Sequence, residues 1–254
     1  MAVLTEKQIK YGFDYYHKDD ARPKSVVEVS EYDGEDKLII NCTQLDEGYS
    51  AKDKKRIWLE WCDFLVNNPD AFTELMFCTR MPQDLFDAVC AQRRLKKLHI
   101  KWGVYPDISK LENLQELKYL HIGSGRSVSS LEPISRLVNL VALSIENFQQ
   151  IDDYAPLANL KHLESLALEG DFAAPKILKV QSLEFLRHMK QLRFFSLLTA
   201  KVIDKDYSPV LELNNLEHLT LKSCKEVKQL YPQFVKLPKL KYGTVLERPE
   251  LYEK

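Results

Sequence analysis

The stretch at residues 140–163 reads LVALSIENFQQIDDYAPLANLKHL, and it decides the fold. Leu140, Leu143 and Ile145 follow the spacing L-x-x-L-x-I, in which the last two residues alternate as they do in a short strand. From Ile151 to Leu163 the apolar residues recur every three positions, which is typical of 3₁₀ or helical backbone returning over the same core. A single unit of this kind cannot bury its own apolar edge. The stretch therefore predicts stacked copies on both sides.

Copies of this unit recur along most of the chain. Taking the second leucine of each unit as a marker, they are centred on Leu75, Leu98, Leu120, Leu143, Leu166, Phe195, Leu219 and Gly243. The separations are 23, 22, 23, 23, 29, 24 and 24 residues, and a period in this range belongs to leucine-rich repeats. We place the extra residues of the longest step at 171–182, as a bulge that leaves the strand end.

The segment PLANLKHL at residues 156–163 resembles the short repeats of bacterial internalin-like proteins. By this resemblance the chain is identified as a member of the leucine-rich-repeat proteins over about 72–248. The resemblance implies an α/β fold: a right-handed solenoid of about seven to eight repeats, with a parallel concave β-sheet and short helical or 3₁₀ convex segments. It implies little about function, because this scaffold serves many unrelated partners.

The first 71 residues precede the repeats and predict an N-terminal α/β cap. Residues 1–25 indicate an irregular or short helical lead-in, and two β-rich runs around Asp33 and Gly34 then predict a hairpin. Ser50 and Asp53 form a capping box before an apolar stripe that stops near Pro69, which predicts a helix. A cap would cover the open strand edge of the solenoid, and the alternative is a separate small binding domain. We divide the chain into a cap (1–71), a solenoid (72–248) and a short tail (249–254).

Composition and charge exclude several classes of protein. With 45% apolar and 29% charged residues the chain is globular, and a net charge of −1 argues against nucleic-acid or membrane binding. No apolar run approaches the roughly 18 residues that a membrane span requires. The first residues lack the pattern of a signal peptide, so we predict a cytoplasmic location. Five cysteines without a C-x-x-C pair favour reduced thiols.

No motif of an enzyme or of a cofactor site is present in the sequence, so we predict no catalytic residues and no cofactor. His99 and His121 occupy the same strand position in neighbouring repeats. Adjacent strands lie about 4.8 Å apart, so the two imidazoles should face each other and could share a metal or a proton. A third ligand is not obvious, and we therefore interpret the pair as polar surface or partner contact. The dipeptide Asp152-Asp153 fits a turn better than a catalytic pair.

Strand alternation predicts which side chains face a partner. The leucines point into the core, and the residues between them point onto the concave face of the sheet. The middle strands carry small side chains on this face, and aromatic and basic side chains lie on both sides of them. Such a surface can admit another backbone closely, and its aromatic residues are typical of binding hot spots. The predicted partner-binding residues are Lys97, His99, Lys101, Trp102, Tyr119, His121, Glu146, Glu169, Phe194, His218 and Tyr242. Of these, Trp102, Tyr119 and Phe194 should be exposed, whereas Leu98, Leu120 and Phe195 should be buried.

These observations predict a non-catalytic protein–protein interaction module that binds another protein on its concave face and is a monomer on its own. Analogy with small bacterial repeat proteins implies a sharper role, an inhibitor or immunity protein that neutralises a toxin. One alternative is an adaptor or regulatory subunit of a signalling enzyme. Another is an enzyme that uses the surface around His99 and His121.

Overall fold

The repeats form one long parallel sheet in a computed structural model that describes residues 4–16, 20–171 and 176–253. The strands, in chain order, are β1 (Lys24–Val26), β2 (Lys37–Ile40), β3 (Glu74–Phe77), β4 (Met81–Pro82), β5 (Lys97–Ile100), β6 (Gly103–Val104), β7 (Tyr119–Ile122), β8 (Ala142–Glu146), β9 (Ser165–Glu169), β10 (Leu178–Val180), β11 (Phe194–Leu198), β12 (Ala200–Val202) and β13 (His218–Leu221). The main sheet has the order β1-β2-β3-β5-β7-β8-β9-β11-β13, and the pairs β4-β6 and β10-β12 form two small separate sheets.

The helices are short except for one near the N-terminus. They are α1 (Glu6–Tyr11), α2 (Ala51–Asn67), α3 (Gln83–Val89), α4 (Glu132–Ser135), α5 (Lys225–Phe234) and α6 (Thr244–Glu247). The 3₁₀ helices are Val29–Glu31, Ser109–Asn113, Ala155–Asn159, Glu184–His188, Ser208–Glu212 and Pro249–Leu251. Among the described residues, no helix is both long enough and apolar enough to cross a membrane.

The register of the main sheet is the one that the repeat markers predict. The markers pair in sequence from Leu75 with Leu98 through to Phe195 with Leu219, and each of these residues is fully buried. On the convex side, α3 buries one face in the core, and the later repeats turn through 3₁₀ helices or through the short helices α4 and α5. The predicted α/β leucine-rich-repeat solenoid is therefore confirmed. Its core is a continuous ladder of stacked leucines.

The last repeat has a glycine, Gly243, at its marker position. Tyr242 forms a parallel bridge with His218, which places Gly243 opposite Leu219. Gly243 has a φ of 101°, and a Cβ atom there would lie 2.2 Å from the Leu219 carbonyl oxygen. Only glycine allows the backbone to approach the preceding repeat this closely.

The predicted N-terminal hairpin is wrong. Strands β1 and β2 pair in parallel, with Lys24 opposite Leu38 and Val26 opposite Ile40, and β2 also pairs in parallel with β3. Gly34, with a φ of 98°, makes a turn in the crossover between the two strands. The two β-rich runs thus extend the main sheet by two strands instead of folding back on each other.

The helix predicted after Ser50 is confirmed as α2. The Ser50 hydroxyl accepts a hydrogen bond from the backbone N–H of Asp53, and the helix buries Ile57, Trp61 and Leu65 on one face. The Trp61 indole N–H donates to the Val27 carbonyl oxygen at 2.8 Å, which ties α2 to the first strands. The exact division of the chain at residues 71 and 248 stays a prediction.

Two predictions concern the C-terminal half. Residues 172–175 of the expected bulge lie outside the described residues, whereas Leu178–Val180 forms β10 and pairs in parallel with β12. The segment expected to be a short tail, 249–254, packs onto the solenoid, apart from Lys254, which is not described. Tyr252 is buried, and its hydroxyl donates to the Leu221 carbonyl oxygen at 2.6 Å, so this segment covers the last strand of the sheet.

Candidate functional site

The concave face of the sheet is crossed by residues 4–16, which we call the N-terminal segment. The Tyr242 hydroxyl donates to the Glu6 carboxylate at 2.7 Å, and the Tyr16 hydroxyl donates to the Glu74 carboxylate at 2.8 Å. Tyr242 belongs to the last repeat and Glu74 to the first predicted one, so the segment spans the length of the face. The polypeptide backbone that lies on the concave face therefore belongs to the same chain.

Apolar side chains hold the N-terminal segment on the sheet. Leu4, Ile9 and Phe13 are buried, with Ile9 fully inaccessible to solvent. They form a cluster, distinct from the leucine core, with Val141, Ala142, Ala167 and Phe194, and the rings of Tyr119 and Tyr242 pack against it. The two alanines provide depth for the incoming side chains. Full burial of an aliphatic side chain of this size contributes roughly 1.5–3 kcal/mol, so the cluster is the main attachment of the segment.

Helix α1 has a well-formed N-terminus despite its six residues. The Thr5 hydroxyl accepts from the Gln8 N–H, and the Gln8 side chain accepts from the Thr5 N–H at 3.0 Å. Glu6 in the first turn and Lys10 in the last suit the helix dipole. An isolated helix of this length is not stable in water. Its conformation therefore depends on docking to the sheet.

Polar contacts fix the start of the segment. The Arg193 guanidinium donates to the Leu4 carbonyl oxygen at 3.0 Å and to the Glu164 carboxylate at 2.9 Å. The Leu4 N–H donates to the same carboxylate at 3.3 Å. Both side chains of the ion pair are largely buried, at 17% and 10% exposure. The ion pair of Arg193 and Glu164 therefore binds the backbone of the segment, in addition to the contacts that the sheet makes with its side chains.

The two predicted histidines face each other, and the segment brings a carboxylate to them. The rings of His99 and His121 stack with centroids 4.2 Å apart and planes 10° from parallel, as predicted. His121 Nδ1 lies 3.1 Å from Asp14 Oδ2 and 3.0 Å from Ser144 Oγ. Burial lowers the pKa of His99 to about 3, and the nearby His121 acts in the same direction. Burial raises the pKa of Asp14, but the hydrogen bond with His121, the charges of His121 and His99 and a backbone hydrogen bond together outweigh it and hold that pKa below its usual value.

The predicted partner-binding residues fall into two groups. The first group contacts the N-terminal segment or lies beneath it: Lys97, His99, Tyr119, His121, Phe194, His218 and Tyr242. The second group lies at or just beyond the C-terminal ends of the strands and keeps solvent exposure, with Lys101 exposed and the other three partly exposed: Lys101, Trp102, Glu146 and Glu169. Sequence alternation thus placed all of these residues off the leucine core, but it did not show that many were already in contact with the chain itself.

The expected exposure of Phe194 is wrong. Its side chain is only 8% exposed, because it belongs to the cluster under the N-terminal segment and stacks on His218 with centroids 4.2 Å apart. Tyr119 and Trp102 are partly exposed. Tyr119 lies 6.1 Å from the Phe13 ring, centroid to centroid. The rings of Tyr119 and Phe194 are therefore part of an intramolecular interface.

His218 should make the protein less stable in acid. Burial lowers its pKa to about 4, although Glu247 and the backbone carbonyls of Ile9 and Lys10 act against this. An unfolded chain, with an ordinary histidine pKa near 6.5, then binds more protons than the folded chain below that pH. The free energy of unfolding should therefore fall by about 2 kcal/mol between pH 7 and pH 5 through this residue.

The measurement is urea unfolding of wild type and of His218→Gln at both pH values. Glutamine retains a group able to bond the Thr220 hydroxyl, which lies 2.9 Å from His218 Nε2. The variant should lose about 2 kcal/mol less on acidification than wild type does. Equal losses in the two proteins would show that His218 titrates normally in the folded state.

Comparison with known proteins supports the fold. No protein-family model matches the chain. It is 34% identical over 92 residues to the Mus musculus volume-regulated anion channel subunit LRRC8E, a match that covers 36% of this chain and 11% of that protein. Among solved structures it is similar to an internalin (inlF) from Listeria monocytogenes, with a TM-score of 0.52 and 18% identity over 81% of this chain and 51% of that one. An internalin C2 from the same organism has a TM-score of 0.42 and 16% identity, over 72% of this chain and 83% of that one.

The chain thus corresponds to about a tenth of the length of the channel subunit and half of the inlF chain. At these identities the likeness to solved structures concerns the fold and not the partners. The predicted register is present in the sheet, the repeat markers are buried in one ladder, and the first of these structures shares the architecture. The chain has the fold of a leucine-rich-repeat solenoid.

Proposed function

We propose that this chain is a non-catalytic protein-binding module that receives its partner on the concave face, and that the N-terminal segment occupies part of that site until the partner displaces it. One observation carries the proposal: the concave face already binds a polypeptide. It holds Leu4, Ile9 and Phe13 in an apolar cluster, and it contacts the backbone of the segment through Arg193 and Glu164. A surface that recognises both features suits another short helix equally well.

The residues beside the segment give a partner its first contacts. Lys101 is exposed, and Trp102, Glu146 and Glu169 are partly exposed along the C-terminal ends of the strands. Charged residues at the rim of an interface set the association rate, and a tryptophan there can serve as a binding hot spot. A partner could therefore bind this edge first and then compete with the segment for the apolar cluster.

The test uses a fluorescent peptide with the sequence of residues 4–16 and the full-length Ile9→Asp variant. The substitution places a carboxylate in the apolar cluster and should leave the concave face free. Fluorescence anisotropy should show peptide binding at least about tenfold tighter than to wild type, because the wild-type face is already occupied.

Two further substitutions, each made in the Ile9→Asp background, locate the binding surface. Ala167→Glu places a charge in the middle of the concave face and should abolish peptide binding. Ala155→Glu is the same chemical change at an exposed convex position and should have no effect. If Ala155→Glu weakens binding while Ala167→Glu does not, the concave face is not the site.

The same three proteins then assign a natural partner. A protein that is retained by Ile9→Asp and by the Ala155→Glu variant but not by the Ala167→Glu variant binds where we propose.

Four earlier statements stay predictions: the role as a toxin inhibitor, the alternative role as an adaptor of a signalling enzyme, the cytoplasmic location and the monomeric state. No described residue favours one role over the other.

A further inference from the structure

Three side chains with metal-binding groups converge under the N-terminal segment. Asp14 comes from the segment, His99 from β5 and His121 from β7, and one ligating atom of each lies within 4.8 Å of the other two. Within this group, His121 Nδ1 and Asp14 Oδ2 lie 3.1 Å apart. Two ligands of one tetrahedral zinc ion lie about 3.3 Å apart, so this pair already has the required spacing. The His99 ring is stacked on that of His121, with centroids 4.2 Å apart, and would turn toward the ion to supply the third ligand.

A second observation concerns a buried nitrogen at the same place. The Nδ1 atom of His99 is buried and has no hydrogen-bond partner among the described residues. Buried polar atoms are almost always hydrogen-bonded, so an unpaired nitrogen at this place is a candidate to bind a water molecule or an ion. A neutral imidazole nitrogen is a common metal ligand.

We propose that Asp14, His99 and His121 bind a divalent transition-metal ion, with Zn²⁺ as the ion that best matches two imidazoles and one carboxylate. Three protein ligands leave one position of a tetrahedral ion open to water or to a group from a partner. Ser144 Oγ lies 3.0 Å from the same His121 Nδ1, so its hydrogen bond to that nitrogen would give way to the ion.

The charges around the site are mixed. The Glu146 and Glu169 carboxylates interact with His121, and together with Asp14 they favour a cation. Lys97 and Lys101 lie near His99 and oppose one. A weakly held ion at an exposed acidic patch would depend on these charges, whereas an ion bound by the three ligands depends on Asp14, His99 and His121 themselves. The variants below distinguish the two cases.

Metal binding would also act on the N-terminal segment, because one ligand belongs to it. An ion that prefers the docked segment must stabilise docking by the same factor by which docking strengthens the ion's affinity. Zinc should therefore shift the equilibrium toward the docked segment. This consequence for a partner rests on the proposed function, but the existence of the metal site does not.

Isothermal titration of Zn²⁺ into full-length, reduced and tag-free protein tests the proposal. We expect one ion per chain, and Asp14→Asn, His99→Gln and His121→Gln should each weaken binding by about 100-fold or more. Asp14→Asn is nearly isosteric and lies outside the leucine core, so it keeps the test valid if a histidine variant folds poorly. In wild type, bound Co²⁺ should give a d–d spectrum without a thiolate charge-transfer band.

Two control variants address other donors in the chain. His188→Gln removes an exposed histidine of the convex side, and Cys78→Ser removes a partly buried thiol near Lys101; both should bind zinc as wild type does. The proposal is overturned if wild type binds no zinc, if the Asp14 and His99 variants bind it unchanged, or if either control loses it. Binding of the peptide in metal-free buffer does not require the ion, so failure of the metal site and failure of the proposed function can be told apart.

Discussion

Replacement of Leu143 by alanine is expected to lower the free energy of unfolding by about 2 to 5 kcal/mol. Leu143 is fully buried, and its strand lies between those of Leu120 and Leu166, with which it pairs directly. The neighbouring repeats are held in place by their own backbone ladders, so they cannot move in to fill the cavity. The cost should therefore include both the lost burial of the side chain and the empty volume.

Urea unfolding followed by circular dichroism measures this loss. Val138→Ala is a matched control, because it also removes methyl groups but at a position that is 49% exposed. The control should change the free energy of unfolding by no more than about 0.5 kcal/mol. A loss below about 1 kcal/mol for Leu143→Ala would show that this residue is not a core position.

Ile9→Asp is expected to release the N-terminal segment while the repeats stay folded. Ile9 is fully buried in the cluster on the concave face, and a carboxylate cannot be buried there without a partner. Burying this carboxylate would cost several kcal/mol. A six-residue helix is not stable enough by itself to offset that cost, so the segment should leave the sheet. Amide protons of residues 6–12 should then exchange at least about 100-fold faster than in wild type.

Hydrogen exchange with mass spectrometry resolves the segment from the repeats. Tyr11→Asp introduces the same charged side chain into α1 at a position that is 43% exposed, and it should leave exchange of the segment close to wild type. The leucine core forms a separate cluster, so protection in β7, β8 and β9 should persist in both variants. Global unfolding of Ile9→Asp would show that the segment is part of the core. Unchanged exchange of the amide protons of residues 6–12 would show that the segment does not dock on the sheet.

The fold could be predicted because its information is local and repeated. Each marker from Leu75 to Leu219 must be buried on one side of a short strand, and a spacing of 22 to 29 residues leaves a single register in which all of them align. The hairpin prediction failed for the opposite reason. Asp33 and Gly34 do mark a turn, but a turn signal does not specify whether the strands on either side pair with each other directly or in parallel through a crossover.

The candidate site was predicted only in part. Strand alternation brought His99 beside His121 and placed Tyr119 and Phe194 off the leucine core. It could not show that Asp14 joins the histidines, because that contact links residues far apart in sequence and follows no period. The N-terminal segment carried one local signal, the capping box of Thr5 and Gln8. A helix this short has too few buried side chains for its sequence pattern to indicate where it docks.

Nuclear Overhauser spectroscopy of the full-length protein with labelled methyl groups tests most directly whether the concave face holds the N-terminal segment. Cross-peaks should connect the methyl groups of Leu4 and Ile9 with those of Ala142 and Ala167 or with the Phe194 ring. The cross-peak between the core methyls of Leu143 and Leu166 serves as an internal reference. If the reference is present but Leu4 and Ile9 show random-coil shifts and no contact with the concave face, the segment does not bind there.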